Sequence, residues 1–308
     1  MTPLDHDDQD GTFVALDIGG GHLKGALVAD DGTVVRADRR PTPDAGNDSL
    51  HAVLGLVEGL QRHATDLGAP VRAAGIAVSG IVDDSTGTIV FSANLGWRDV
   101  ALRPLAEARL GIPTAVVQDA RSGALAEATL GAGRGVDNFL YVPIGTGVGG
   151  AVVLRGEPIG GATHAAGELG HVRAVPDGRP CACGSAGCVE AYLGGAAMAE
   201  HYRERTGVPR TAAEIAGRLG SDADADAIWG QGVRALAHAV APLIAGIDPA
   251  LVVLGGGVAN AGAHLTEPLH DALQAHLGYR RPPRLTIGHL GEDAARTGAF
   301  VAARRAVS

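Results

Sequence analysis

Phe13-Val14-Ala15-Leu16-Asp17-Ile18-Gly19-Gly20-Gly21 reads as a buried strand that ends in a glycine turn. Strand chemistry resumes at once, around Lys24 to Ala29, so the glycines close a hairpin rather than open a helix. The arrangement returns at Leu140-Tyr141-Val142-Pro143-Ile144-Gly145-Thr146-Gly147, which runs into Gly149-Gly150-Ala151-Val152-Val153-Leu154. Overlaying the copies aligns Ile18 with Ile144, Gly19 with Gly145 and Gly21 with Gly147. Two strand–turn–strand units in one chain point to a duplicated, two-lobed architecture with both turns facing a central cleft. A third turn, Leu251-Val252-Val253-Leu254-Gly255-Gly256-Gly257, follows another apolar strand and opens toward a helix.

Glycines at strand ends let backbone N–H groups approach phosphate oxygens with no Cβ in the way. Three such turns are what an ATP cleft between lobes requires. Gly145-x-Gly147-x-x-Gly150 has the spacing of a dinucleotide-binding turn, but a strand follows it where that motif needs a helix. No G-x-x-x-x-G-K-[ST] sequence occurs, which excludes a P-loop. Asp17 ends a buried strand, where a carboxylate needs a partner: hydrated Mg2+ or the Lys24 ammonium, unless it merely forms the turn.

Between the hairpins, Ser49 is expected to cap a helix carrying Leu50, Val53, Leu54, Val57 and Leu60 on one face, ended by Gly68. Strands are expected at Val71–Val78, Ile89–Phe91 and Thr114–Val117, and helices near Leu102–Leu110 and Ser122–Leu130. Helical stretches follow from about Glu190 to Ile247, with a strand near Leu285–Ile287 and a last helix from about Asp293. Alternating strands and helices define the class as α/β. Asp119 lies between a strand and a helix; it caps that helix, serves as a general base toward a substrate hydroxyl, or does both.

All three cysteines fall in one window, Cys181-Ala182-Cys183-Gly184-Ser185-Ala186-Gly187-Cys188, with His171 upstream. Three cysteines cannot pair evenly as disulfides, whereas three thiolates and an imidazole make a closed tetrahedral zinc site. Such a site holds Glu168 and Glu190 on either side of the metal loop, two carboxylates suited to bidentate hydrogen bonding of vicinal sugar hydroxyls.

Composition removes several alternatives. Aromatics are 3% of the chain and the net charge is -9, which opposes nucleic-acid and anionic-membrane binding. No apolar run approaches the length of a membrane span. The acidic start, Met1 to Asp10, is unlike a signal peptide, so a cytoplasmic location is expected.

With these residues in place, the chain resembles the ROK family of bacterial sugar kinases, ROK glucokinases most of all. The resemblance runs from Phe13 to the final helix. It rests chiefly on Gly167-Glu168-Leu169-Gly170-His171 followed by Cys181-x-Cys183-Gly184-x-x-Gly187-Cys188-x-Glu190. Asp17-Ile18-Gly19-Gly20, Asn94-Leu95-Gly96-Trp97, Gly145-Thr146-Gly147-Val148-Gly149-Gly150 and Asp248-Pro249 before Leu254-Gly255-Gly256-Gly257 support it.

The resemblance implies an actin-like (ribonuclease H-like) two-lobed ATPase fold that closes over ATP and a sugar. Residues 1–10 are expected to be disordered. Residues 11–120 would form a smaller lobe, with 293–308 packing back on it. Residues 121–292 would form a larger lobe containing the zinc loop 171–188. The implied reaction is transfer of the γ-phosphoryl group of ATP, with Mg2+, to the primary hydroxyl of a hexose. Asp119 would be the catalytic base; Gly80, Asn94, Gln118, Glu168, His171 and Glu190 would join it at the sugar. Asp17, Gly19, Gly20, Gly21, Lys24, Gly145, Thr146, Gly147, Gly256 and Gly257 would bind the nucleotide. His171, Cys181, Cys183 and Cys188 would hold structural Zn2+, and a homodimer or larger oligomer is expected.

The departures from the family pattern bear on the substrate. Gly21 replaces a usual Thr, Gln118 the Asn before the base, Arg121 the Asn two residues after it, and Ser79 the Pro before Gly80. Gln118 and Ser79 are expected in the sugar pocket, which opens the choice among glucose, fructose, an amino sugar and a C7-cyclitol. Family repressors carry an N-terminal helix-turn-helix of several dozen residues; an acidic stretch of about ten residues stands there in this chain, which with the negative charge argues against a DNA-binding repressor, while the Gly21 and Gln118 departures leave a non-catalytic sugar sensor as a further alternative.

Overall fold

The computed structural model describes residues 11–43 and 47–308, so the expectation for residues 1–10 lies outside it. The described chain forms two units. One holds the residues up to Ala126 with Gly160–Ala165 and Asp293–Ser308; the other holds Glu127–Ile159 and Ala166–Glu292.

In the first unit, β1 (Thr12–Ile18), β2 (His22–Ala29) and β3 (Val34–Pro41) form an antiparallel meander. After α1 (Asn47–Asp66), β4 (Val71–Val78) lies parallel to β1. Strands β5 (Ile81–Asp83), β6 (Thr88–Ser92) and β7 (Trp97–Ala101) make a small antiparallel sheet of their own. Helix α2 (Leu102–Leu110) leads to β8 (Thr114–Gln118), parallel to β4, and α3 (Asp119–Leu130) begins where β8 ends. The main sheet has the order β3-β2-β1-β4-β8.

Both faces of β1 are covered, which is why it reads as one apolar run. Val14, Leu16 and Ile18 join a core with Val53, Leu56, Val57 and Leu60 of α1. Phe13 and Ala15 meet Ala299, Phe300 and Ala303 of the C-terminal helix (Ala294–Arg305) on the other face. That helix lies so close to β4 that a Cβ at Gly75 would collide with the Ala299 carbonyl. Ser49 corrects the capping expectation: α1 starts earlier, and the buried Ser49 hydroxyl accepts Trp97 Nε1–H at 2.8 Å and donates to the Leu95 carbonyl at 3.5 Å.

In the second unit, β9 (Phe139–Pro143), β10 (Ala151–Leu154) and β11 (Glu157–Pro158) form another antiparallel meander. The helices α4 (Glu190–Leu193), α5 (Gly195–Thr206), α6 (Ala212–Ala216) and α7 (Ala223–Ile247) precede β12 (Leu251–Gly255), parallel to β9. Helix α8 (Ala263–His276) and β13 (Arg284–Ile287), parallel to β12, complete the unit. Ile228, Trp229, Val233, Leu236, Val240 and Ile244 of α7 recur at helical spacing and fill its core. Its sheet order, β11-β10-β9-β12-β13, repeats the first unit strand for strand, with the same parallel and antiparallel pairings. The duplication read from a few shared residues therefore extends over five strands.

Candidate active site

In the first unit, the predicted residues gather at the carboxyl ends of β1, β4 and β8, where open α/β sheets bind ligands. Ile18, Val78 and Gln118 stand in one cross-strand row. Gly19, Ser79 and Asp119 each follow that row by one residue. Asp17 pairs with Lys24 across the hairpin, Oδ2 to Nζ 3.7 Å. Burial raises its carboxyl to about 6; Lys24 and Arg296 pull it down and Asp293 pushes it further up. Thr42 pins the glycine turn, its hydroxyl donating to the Gly19 carbonyl at 2.7 Å and its N–H to that of Gly21 at 3.1 Å. The Asn94 amide lies against Gly20, while a Cβ at Gly21 would meet nothing within 4 Å, so the missing hydroxyl leaves space. Gly80 has φ +128° and passes beside the Phe91 carbonyl, with no room for a side chain.

Asp119 is the first residue of α3, and the residue before it also serves the helix start. Gln118 Oε1 accepts the Arg121 N–H at 2.8 Å. The other end of the same amide, Nε2, donates to Asp119 Oδ1 at 2.8 Å, and the Ala120 N–H donates to that oxygen at 2.7 Å. Gln118 is buried with both ends of its amide engaged, so its extra length serves the helix start and Asp119. Arg121, 2% exposed, pairs with Asp84. Sequence reasoning gave that pair no role. Its signal is a long cation set among the small residues Ala120, Ser122, Gly123 and Ala124.

In the second unit, a Cβ at Gly147 would collide with Glu190 Oε2, and that oxygen accepts the Val148 N–H at 3.0 Å. Glu190 is the first residue of α4. The Gly145 and Thr146 carbonyls accept the Gly195 and Ala196 N–H groups at the start of α5, at 2.8 and 3.1 Å. The third turn joins this cluster: Gly256 takes φ +76° against Ile144, whose carbonyl accepts the Val258 N–H at 3.0 Å. Gly257 lies beside Glu292. A short 3-10 turn, Leu169–His171, presents Glu168 and His171, and Gly170 lies on the Val148 carbonyl. The unit thus brings together Gly145–Gly147, Gly256–Gly257, Glu168, His171 and Glu190.

The ligand atoms of His171, Cys181, Cys183 and Cys188 all lie within 4.8 Å of one another. Cys183 and Cys188 sulfurs are 3.7 Å apart, as are Cys181 Sγ and His171 Nδ1. Tetrahedral zinc with Zn–S of about 2.3 Å and Zn–N of about 2.1 Å sets these edges at about 3.8 and 3.6 Å. The donor set and spacing therefore fit zinc. Burial and the neighbouring sulfurs push the Cys188 thiol up to about 12, so ionising all three cysteines calls for a cation. His171 turns Nδ1 to the sulfurs and Nε2 toward Glu168, 3.9 Å away, as carboxylates commonly orient metal-binding imidazoles.

Comparison with known proteins agrees with this geometry. The ROK family model matches residues 13–306. A glucokinase of Streptomyces coelicolor is 31% identical, over 96% of this chain and 98% of that one. An N-acetyl-D-glucosamine kinase of Erwinia tasmaniensis is 32% identical, over 93% and 97% respectively. Among solved structures, a ROK family glucokinase from Streptomyces griseus in complex with glucose and AMPPNP superposes with a TM-score of 0.85 at 28% identity. That match covers 96% of this chain and 100% of the other.

Proposed function

The chain belongs to the ROK family, and from that premise we propose that it is an ATP-dependent sugar kinase that phosphorylates the primary hydroxyl of a hexose, glucose first among candidates. The observation that carries this reading is the end-to-end match to a glucokinase, joined to a fixed carboxylate, Asp119, at a strand end. Phosphoryl transfer asks the protein mainly to position groups and neutralise charge. In this reading Asp119 accepts the proton of the acceptor hydroxyl. The two N–H donors on Oδ1 fix the plane of the carboxylate before substrate arrives.

Glu168, Glu190 and His171 take the ring hydroxyls. Glu190 is braced by Val148, and Glu168 and His171 by the metal loop. Asn94 and Gly80 complete the sugar contacts. The glycine turns Gly19–Gly21, Gly145–Gly147 and Gly256–Gly257 receive the nucleotide phosphates, with Lys24 as countercharge. Mg2+ would supply charge neutralisation on the nucleotide phosphates when bound, and Asp17, the carboxylate at the end of β1, is the residue to hold its hydration shell. Zinc, with four protein ligands, leaves no position for an activated water and is structural.

An amino sugar is the second reading, favoured by the N-acetyl-D-glucosamine kinase relative. ATP consumption across a panel of glucose, fructose, amino sugars and C7-cyclitols tests both. Sugar-dependent ADP release with one hexose preferred is expected. No ADP release above background with any acceptor would overturn the kinase reading.

A further inference from the structure

We propose that Arg121 is a positioning residue for Asp119, fixing the first turn of α3 and thereby the direction of the base. The proposal rests on the assignment of Asp119 above. Arg121 is among the largest fully buried side chains of the described residues, and each guanidinium nitrogen has a partner. Nε donates to Asp84 Oδ2 at 2.8 Å, Nη2 to Asp84 Oδ1 at 2.9 Å and to the Val82 carbonyl at 2.7 Å, and Nη1 to the His164 carbonyl at 3.1 Å. Four of the five guanidinium N–H donors are thus engaged within a side chain that is buried. Any effect on catalysis passes through its neighbours.

Two routes lead from Arg121 to Asp119. Asp84 Oδ1 also accepts the Gln118 backbone N–H at 3.2 Å, so the ion pair anchors the residue before the base. The backbone N–H of Arg121 donates to Gln118 Oε1, and the Gln118 Nε2 donates to Asp119 Oδ1. Asp84 is itself held from behind: Arg103 donates to the Asp84 carbonyl at 2.6 Å and the Ser85 carbonyl at 2.7 Å. The bond to His164, a non-glycine residue at φ +61°, ties Gly160–Ala165 to the same point. The fork geometry is what matters here: a lysine carries the charge but cannot reach Asp84, Val82 and His164 together.

The test compares the full-length wild type with Arg121→Lys, Arg121→Met and the double variant Asp84→Asn/Arg121→Met. Steady-state kinetics, Tm and amide hydrogen exchange are measured on each. In Arg121→Lys, kcat should fall by on the order of 100-fold with KM for sugar and ATP little changed, because the base is misaimed while binding groups stay. Arg121→Met should also lose Tm, since it strands the Asp84 carboxylate; the double variant should regain Tm without regaining kcat. Exchange should quicken at residues 118–122 and 160–165 in all three. Recovery of kcat together with Tm in the double variant, or near-wild-type kcat in Arg121→Lys, would show a purely structural pair and overturn the proposal. If the wild type itself turned over no sugar, the kinase reading would fall instead, while exchange at residues 118–122 would still report whether Arg121 orders this turn.

Discussion

The hairpins β1–β2 and β9–β10 share a topology and differ in what they carry. In the first, the turn lies between the partners of a titratable pair, Asp17 on β1 and Lys24 on β2, and its carbonyls are pinned by Thr42. In the second, the residue that matches Ile18 is Ile144, the preceding strand end has no carboxylate, and the turn is filled by Glu190. One duplicated scaffold thus offers two chemistries. In the proposed function the first hairpin holds charge for a cation and phosphates, at a cost in desolvation of Asp17. The second holds a carboxylate acceptor, Glu190, beside the Val148 N–H, next to the His171/Cys181/Cys183/Cys188 loop. What differs between the copies is the side chain beside each glycine turn, and the proposed function assigns the two turns different work.

The comparison can be broken at graded cost. The largest effect belongs to Asp119→Asn, which removes the base beyond the β8 end: kcat should fall by at least about 1,000-fold, with Tm and zinc content unchanged by thermal scan and metal analysis. Next, Cys183→Ser or chelation should loosen the second hairpin's brace. Tm should drop by several degrees and the sugar KM should rise at least about tenfold, as losing supporting groups at a metal site commonly does; activity that survives verified zinc loss would contradict this.

Gly75→Val attacks the first unit alone. A side chain against the Ala299 carbonyl forces the C-terminal helix off β4, at a cost of about 3 kcal/mol or more, readable by chemical denaturation.

The smallest effect is the most diagnostic of charge. A carboxyl raised from 3.8 to about 6 binds its proton more tightly folded than unfolded, so ionised Asp17 opposes folding. Its contribution falls as pH rises from about 4 to 6 and stays lost above that window. Asp17→Asn should therefore be more stable than wild type at pH 7, by on the order of 1 kcal/mol after allowing for the unpaired Lys24, and the gap should close toward pH 4. Denaturation midpoints at both pH values check it; equal gaps would show that burial does not disfavour the Asp17 charge.

Much of this was legible in the chain because it is written locally. Glycine turns after apolar runs gave both hairpins, and cysteine spacing with His171 gave a cluster whose edges match zinc. Long-range register was not legible: nothing in the sequence says that Ile18, Val78 and Gln118 share one row. The part played by Gln118 at the helix start was missed for a physical reason. A Gln at the N-cap is unusual, and only its rotamer shows that one amide serves both the Arg121 N–H and Asp119. Ser49 misled in the opposite way, since a good capping residue was used as a buried bridge to Trp97.

The division of labour between the hairpins is tested most directly by sugar affinity in the absence of nucleotide, measured by calorimetry for wild type, Gly147→Ala and Asp17→Asn. The sugar is the best acceptor of the panel. Gly147→Ala pushes on the Glu190 carboxylate and should weaken sugar binding by at least about tenfold, whereas Asp17→Asn should bind sugar as wild type does while losing turnover. Intact sugar binding in Gly147→Ala, or its loss in Asp17→Asn, would contradict the account.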